Sequence, residues 1–198
     1  MKLITTIILS ILFCSCASDY YAMNRYRNTM FPTVVGYRAS NPLSVSVITD
    51  DAIRIEENSK TSLRMYEVTQ YEKTFILTKK SGDYFSIIER TSPLDLDTNR
   101  GLKFDFNQSG IKIYENNDLI LEKSSYKIRN DLDYLFRFIQ HGDYTTAIID
   151  CDTIIKFKSN LPATEYTSFH TGEGSELEIY SFDVLDLEEK NDFFHNYE

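Results

Sequence analysis

Tryptophan is absent from the sequence, and glycine, proline, cysteine and histidine are scarce, at 7, 4, 3 and 3 of 198 residues. So few glycines leave little material for the loops that cradle phosphate groups. The three histidines, His141, His170 and His195, are too scattered for a metal set, and neither His-Glu-x-x-His nor Gly-x-Ser-x-Gly occurs. We therefore expect no cofactor.

Cysteine is too rare for disulfide bonds to stabilise the fold. Cys14 and Cys16 lie in the first 16 residues, so Cys151 has no partner in the rest of the chain and should form no internal disulfide. We expect Cys151 to be buried as a small hydrophobic residue.

Positive charge is also in short supply. The sequence has 21 lysines and arginines against 30 aspartates and glutamates, a formal net charge of −9. So acidic a surface repels phosphate backbones, which argues against nucleic acid as a partner and favours a basic protein.

The aromatic residues that are present are 14 tyrosines and 13 phenylalanines. Both suit half-buried strands. A surface for stacking carbohydrate is the less favoured interpretation, because tryptophan, the strongest stacking side chain, is missing.

The amino terminus has the layout of a secretory signal peptide. Lys2 precedes an apolar run over residues 3–13, which only Thr5, Thr6 and Ser10 interrupt. A membrane-spanning helix needs about 20 apolar residues, and the polar Asp19 follows too soon for one. The segment therefore predicts export of the chain.

The end of this run, Leu12-Phe13-Cys14-Ser15-Cys16, resembles the lipobox of bacterial lipoproteins. The resemblance implies that Cys16 carries the lipid and begins the mature chain, which would be attached to a membrane of the cell envelope on its periplasmic or outer face. In the alternative, Ser15-Cys16-Ala17 is an ordinary cleavage site and the chain is secreted or periplasmic. The predicted organisation is a signal peptide (1–15), a lipidated start and tether (16–42), a single β-rich domain (43–185) and an acidic tail (186–198).

Residues 43–185 are predicted to be mainly antiparallel β structure. Short runs of β-branched and aromatic residues alternate with turn signals. The clearest hairpins are at 102–107 with 111–114 and 119–122, where Asn116 and Asn117 suit the turn, and at 145–149 with 153–158. Residues 163–174 read as a loop.

One helix is predicted, over residues 125–141. Its apolar residues recur at three-to-four spacing before Gly142, and they are Ile128, Leu132, Leu135, Phe136 and Ile139. The expected α+β fold is therefore either an open meander covered by this helix or a closed, lipocalin-like barrel.

The segment Asp150-Cys151-Asp152 follows an apolar strand, and it is similar to the opening motif of haloacid-dehalogenase-type phosphatases. In that family the first carboxylate attacks phosphorus and the second handles the leaving-group proton, with magnesium between them. Only 46 residues follow Asp152, too few for the rest of that fold. The segment is also similar to the Asp-x-Asp metal site of many glycosyltransferases, whose nucleotide-binding domain is absent. A tight turn between strands is the simpler interpretation.

A second acidic segment has Asp95, Asp97 and Asn99 at alternate positions before Gly101. Oxygen ligands at alternate positions with a nearby glycine are typical of a calcium-binding loop. An EF-hand has its glycine one residue earlier and a glutamate where Phe106 stands, and Arg100 opposes a cation. A solvated turn is the default interpretation.

Two functional hypotheses follow. The first is a lipid-anchored, non-catalytic envelope protein that binds a protein partner or a small ligand, with an immunity or inhibitor protein against a basic toxin as a special case. The second is a small metal-dependent hydrolase centred on Asp150 and Asp152. It requires that at least one of Asp143, His170 or Glu173 converge with them in a pocket.

Overall fold

A computed structural model describes residues 34–49, 52–65, 69–91 and 100–187. In this part of the chain there are fourteen strands and a short 3₁₀ helix, Pro42–Ser44. The strands are β1 (Val34–Ala39), β2 (Val45–Thr49), β3 (Ala52–Ile55), β4 (Lys60–Met65), β5 (Tyr71–Ser81), β6 (Phe85–Glu89), β7 (Leu102–Asn107), β8 (Gly110–Glu115), β9 (Asp118–Lys123), β10 (Asp133–His141), β11 (Tyr144–Ile149), β12 (Asp152–Lys158), β13 (Tyr166–Thr171) and β14 (Glu176–Asp186).

The strands form two seven-stranded sheets in which all neighbouring strands are antiparallel. The front sheet has the order β1-β4-β13-β6-β7-β8-β9, and the back sheet has the order β12-β11-β10-β5-β14-β3-β2. The last two strands of the described residues each enter the middle of a sheet, β13 between β4 and β6 and β14 between β5 and β3.

The two sheets enclose one core, because most of their strands place apolar residues on a single face. In β7, Leu102, Phe104 and Phe106 are buried between the sheets and alternate with Lys103 and Asp105. The architecture is therefore a β-sandwich.

Phenylalanine rings fill the centre of this core. The ring of Phe75 lies 5.4 Å from that of Phe136 and 5.1 Å from that of Phe182, both stacked, and 5.5 Å edge-on from that of Phe169. Since Phe169 belongs to the front sheet and the other three rings to the back sheet, these contacts join the two layers.

A buried ion pair also joins the layers. Lys73 Nζ on β5 lies 2.7 Å from Glu89 Oε2 on β6, and the side chains are 0% and 1% exposed. Thr167 on β13 donates to Glu89 and accepts from Lys73, so both charged groups are hydrogen-bonded inside the sandwich. Burial lowers the pKa of Lys73, and the Glu89 carboxylate opposes that shift.

The helix predicted over residues 125–141 is wrong. Residues 133–141 form β10, a central strand between β5 and β11. Phe136 and Phe138 point into the core, whereas Leu135 and Ile139 lie on the outer face. Apolar residues on both faces of one strand produce the three-to-four spacing that suggested a helix.

The lipocalin-like barrel is not what these strands form, since the described residues make two separate sheets rather than one closed sheet. The hairpins β7–β8–β9 and β11–β12 are confirmed, and Asn116 and Asn117 have the positive φ values expected of that turn, 49° and 78°. The loop expected at 163–174 contains β13. Cys151 is exposed in the β11–β12 turn, so the expectation that it is buried is wrong.

In the residues that the structure describes, no helix is long and apolar enough to cross a membrane.

Candidate functional site

Asp150 and Asp152 lie in the tight turn between β11 and β12, and both are exposed. Asp150 has a positive φ of 54°, and its Oδ1 accepts a hydrogen bond of 2.9 Å from the backbone of Leu135. The two carboxylates lie close to Tyr126, whose pKa burial and these charges raise to about 12. Asp150 therefore supports the turn, as the simpler interpretation of this segment required.

The other residues that a hydrolase would need lie elsewhere. Asp143 is at the opposite end of β11, and His170 and Glu173 belong to β13 and the turn after it, in the front sheet. Among the described residues no group of three or more acidic, histidine or cysteine side chains could hold a metal ion. The described residues therefore do not bring Asp143, His170 or Glu173 together with Asp150 and Asp152.

Two further predicted sites fall outside the described residues. They are the calcium-loop candidates Asp95, Asp97 and Asn99 and the lipidation candidate Cys16. Both stay predictions.

The outer face of the front sheet carries the most unusual cluster of side chains, which we name the front-face patch. Its residues point away from the core yet are at most 8% exposed. They are Ser62 on β4, Ser168 and His170 on β13, Ser86 and Ile88 on β6, and Asp105 on β7.

Strand register brings the members of the patch together. Ser168 lies opposite Ser62 on one side and Ile88 on the other, and Ser86 lies between His170 and Asp105. Directly opposed side chains on one face are about 5 Å apart at their Cβ atoms. The patch is therefore one continuous, largely buried cluster across four strands.

Polar groups in and beside the patch form a chain of contacts. Tyr84 OH donates to Asp105 Oδ1 at 3.1 Å and lies 3.1 Å from Ser86 Oγ, while Lys103 Nζ lies 3.1 Å from Asp105 Oδ2. Lys103 Nζ also lies 4.8 Å from the centre of the Tyr114 ring. Burial, with the nearby Asp105 carboxylate, raises the pKa of Tyr84 to about 12.

Two hydroxyl groups in the patch are left without a partner. Ser62 Oγ and Ser168 Oγ are buried and make no hydrogen bond within the described residues. Burying such a group without a partner costs about 1–3 kcal/mol. Unsatisfied buried groups are rare in folded proteins, so each of these two requires an explanation.

Although serine, histidine and aspartate share this face, they do not form a nucleophilic triad. The carboxylate of Asp105 is engaged by Tyr84 and Lys103, and neither Ser62 nor Ser168 is hydrogen-bonded to His170. A triad needs the histidine bonded to both the nucleophile and the acid. The patch is better suited to binding than to acyl transfer.

The outer face of the back sheet is built differently. Arg54 Nη2 lies 2.5 Å from Glu178 Oε1, and Arg137 Nη2 lies 2.6 Å from Glu72 Oε1. Leu135 is 38% exposed on the same face. Charged side chains here neutralise one another beside solvent.

No protein-family model and no curated protein matches the sequence. Solved structures do match. The carbohydrate-binding module CBM66 from Bacillus subtilis superimposes with a TM-score of 0.58 at 12% identity, covering 75% of this chain and 94% of that module. The exoplasmic/lumenal domain of VIP36, in its Ca²⁺/Man3GlcNAc-bound form, gives a TM-score of 0.56 at 14% identity and covers 81% and 90%.

The fold is a lectin-like β-sandwich. A sialidase gives a TM-score of 0.60 at 9% identity over 81% of this chain, but the match spans only 18% of the sialidase. At these identities the similarity shows the fold alone.

The places of Ser168 and His170 in the front-face patch are not predicted from the sequence, because the loop predicted at residues 163–174 contains β13. A signal was present in residues 166–171, where Ser168 and His170 alternate with Thr167, Phe169 and Thr171. Period-two alternation of this kind predicts a strand even when few of its residues are apolar.

Proposed function

We propose that this protein is a non-catalytic saccharide-binding protein of the cell envelope, held at a membrane by a lipid on Cys16. The front-face patch is the proposed binding surface. The observation that carries the proposal is the pair of buried hydroxyls, Ser62 and Ser168, that lack partners on an outer face.

Saccharide hydroxyls suit these serines, because each can both donate and accept a hydrogen bond. Because Ser62 and Ser168 are each 1% exposed, a ligand must displace the side chains that cover them; its hydroxyls would then satisfy both groups and remove the cost of leaving them unbonded. Ile88, between Ser168 and Lys103 in the register, gives the same surface an apolar floor.

The rim of the patch supplies the other groups that sugars need. Asp105 is a fixed acceptor for ligand hydroxyls, held by Tyr84 and Lys103. Tyr84 and Tyr114 present aromatic rings beside it, and rings of this kind pack against the apolar faces of sugars. Tyrosine would thus take the place of the missing tryptophan.

The tether length fits attachment to a membrane. Eighteen peptide steps separate Cys16 from Val34, where β1 begins, and a fully extended chain of that length reaches about 60 Å. That reach exceeds the headgroup region of a bilayer, so a domain attached through Cys16 could contact ligands beyond the membrane surface.

The binding proposal is tested by titrating the purified full-length protein with neutral oligosaccharides selected from a glycan array. Asp105→Asn and Ser168→Ala should each weaken binding about tenfold, since each removes a ligand hydrogen bond. The matched control is Glu72→Gln on the back face, which should bind as the wild type does. Equal affinity of all four proteins would refute the patch, and no binding to any glycan would refute saccharide recognition.

The anchoring proposal is tested by feeding cells labelled fatty acid. The wild type should take up label and fractionate with membranes, and Cys16→Ala should lose both properties, because it lacks the thiol that carries the lipid. A Cys14→Ala variant is the control and should keep the label. An unlabelled wild type would contradict a lipid at Cys16. The basic protein partner considered above stays a prediction.

A further inference from the structure

A cleft of about 480 Å³ opens at one end of the sandwich, away from the outer faces of the sheets. It lies where β6 ends, β7 begins and β8 ends, and the segment before β13 closes its remaining side. Arg90, Arg100, Asn116, Leu161 and Thr164 contribute to its lining. Its volume is in the range of small-molecule sites.

Arg90 brings a buried positive charge to this cleft. It is 5% exposed and has a left-handed backbone, with φ of 54°. Residues other than glycine rarely adopt that conformation, which raises the energy of the folded state by about 1 kcal/mol or more. Backbone strain of this kind collects at functional sites, where it aims a side chain in a fixed direction.

The hydrogen bonds of the Arg90 guanidinium all go to neutral acceptors. Nε donates to Thr145 Oγ1 at 2.8 Å, and the terminal nitrogens donate to the Leu161 carbonyl, the Gln140 side chain and the Asp143 carbonyl. No carboxylate of the described residues forms an ion pair with it. Arginine stays charged in proteins, so within the described residues this buried charge has no direct ion pair, although Glu89, Glu115 and Asp143 attract it at longer range.

The acidic groups nearest Arg90 already have other partners. Glu115 Oε1 accepts hydrogen bonds from Ser159 Oγ at 2.5 Å and from the backbone of Asn160 at 3.1 Å. The Asp143 carboxylate lies 3.4 Å from Lys158 Nζ, and Glu89 is paired with Lys73. Arg90 therefore lines the cleft without a direct ion pair among the described residues, in a chain whose net charge is −9.

Arg100 and Asn116 complete the polar wall. Arg100 is exposed at the cleft and precedes Gly101, whose φ is 135° and where an added Cβ would lie 2.7 Å from the Glu89 carbonyl oxygen. Gly101 N donates to Asn116 Oδ1 at 3.2 Å, which turns the amide nitrogen of Asn116 away from this bond and leaves it free to donate. The cleft thus combines one exposed guanidinium, one buried guanidinium and an amide donor.

We propose that this cleft binds the carboxylate of an acidic saccharide, with Arg100 as the direct ligand and Arg90 as the buried charge behind it. The need for an anion stands on the cleft alone, whereas the saccharide part rests on the proposed function. Leu161 and Pro162, on the same wall, would contact the ring. An arginine and a carboxylate form strong, paired hydrogen bonds, which suits a carboxylate to this cleft.

The test is calorimetry of the purified full-length protein with sodium glucuronate and with glucose, which share a ring and differ in the carboxylate. Glucuronate should bind and glucose should bind about tenfold more weakly or not at all. Arg100→Gln should lower glucuronate affinity about tenfold, and Arg129→Gln, an exposed arginine outside the cleft, should leave it unchanged. Arg100 is exposed, so its replacement should leave the fold intact.

Three outcomes would overturn the inference. They are equal binding of glucose and glucuronate, an Arg100→Gln protein with unchanged glucuronate affinity, and displacement of glucuronate by inorganic phosphate at equal concentration, which indicates a general anion site. The front-face patch fails separately, because its neutral oligosaccharides should bind the Arg100→Gln variant as they bind the wild type.

Discussion

The two outer faces of this sandwich are similar in strand number and opposite in chemistry. On the back face, Arg54 with Glu178 and Arg137 with Glu72 satisfy one another next to water. On the front face, Ser62 and Ser168 are buried and lack partners. A surface that satisfies its own polar groups has little to gain from a ligand, whereas one that leaves them unsatisfied gains hydrogen bonds on binding. The front face is therefore the better candidate for ligand binding.

The two outer faces keep their positions only while the two sheets stay packed together. Breaking the buried Lys73–Glu89 pair between the sheets should therefore have the largest effect on stability. Replacing Glu89 with Leu leaves the Lys73 charge buried without its partner, so the free energy of unfolding should fall by about 3–5 kcal/mol. Urea unfolding measures it. The double variant Lys73→Met/Glu89→Leu should regain most of the loss. A single variant as stable as the wild type would show that the pair does not hold the layers.

Hydroxyl deletions test the two faces directly. Ser168→Ala removes a buried hydroxyl without a partner and should raise the free energy of unfolding by about 1 kcal/mol. On the back face, the hydroxyl of Thr78 donates to Asp133, so Thr78→Ala should lower the free energy of unfolding by about 1 kcal/mol. If urea unfolding shows stabilisation by Ser168→Ala and destabilisation by Thr78→Ala, the front face lacks a partner where the back face has one. Destabilisation by both would mean that Ser168 has a partner within the protein.

Alkaline pH tests one tyrosine on each face, and the two should respond alike until a ligand is added. The pKa of Tyr84 on the front and of Tyr180 on the back is about 12, raised first by burial and then by Asp105 and Glu178 respectively. Each tyrosine stays protonated in the folded state where an unfolded tyrosine ionises near pH 10. The stability they contribute is therefore complete below pH 10 and is lost as the pH rises through about 12.

Urea midpoints measured between pH 9 and pH 12 should show this loss, and Tyr84→Phe should reduce it. A bound saccharide should raise the pKa of Tyr84 further and leave that of Tyr180 unchanged, as seen in phenolate absorbance. If every tyrosine ionises near pH 10, the environments described for these two residues are wrong.

Local signals in the sequence were enough for the hairpins and not for the central strands. The β7–β8–β9 hairpins have alternating residues and an Asn116-Asn117 turn, all visible within 22 residues. The identity of β10 depends on its neighbours β5 and β11, which are distant in sequence, so its two apolar faces suggested a helix. Tertiary context decided that strand.

The candidate sites were out of reach of motif reading for a related reason. The front-face patch consists of serines, an isoleucine, a histidine and an aspartate from four strands, and no two of its members from different strands are near in sequence. Asp150-Cys151-Asp152, in contrast, stood out as a motif and forms a turn. Composition predicted a β-rich domain. It does not indicate which outer face has buried hydroxyls without hydrogen-bond partners.

The placement of β13 and β14 has a consequence for when the two sheets can form during synthesis. Until residues 166–186 have been synthesised, β4 has no link to β6 and β3 has none to β5, so neither layer can close. Contacts this distant in sequence form slowly. If the predicted signal peptide directs export, this delay would keep the chain open enough to be threaded through a translocation channel, and folding would be completed on the far side.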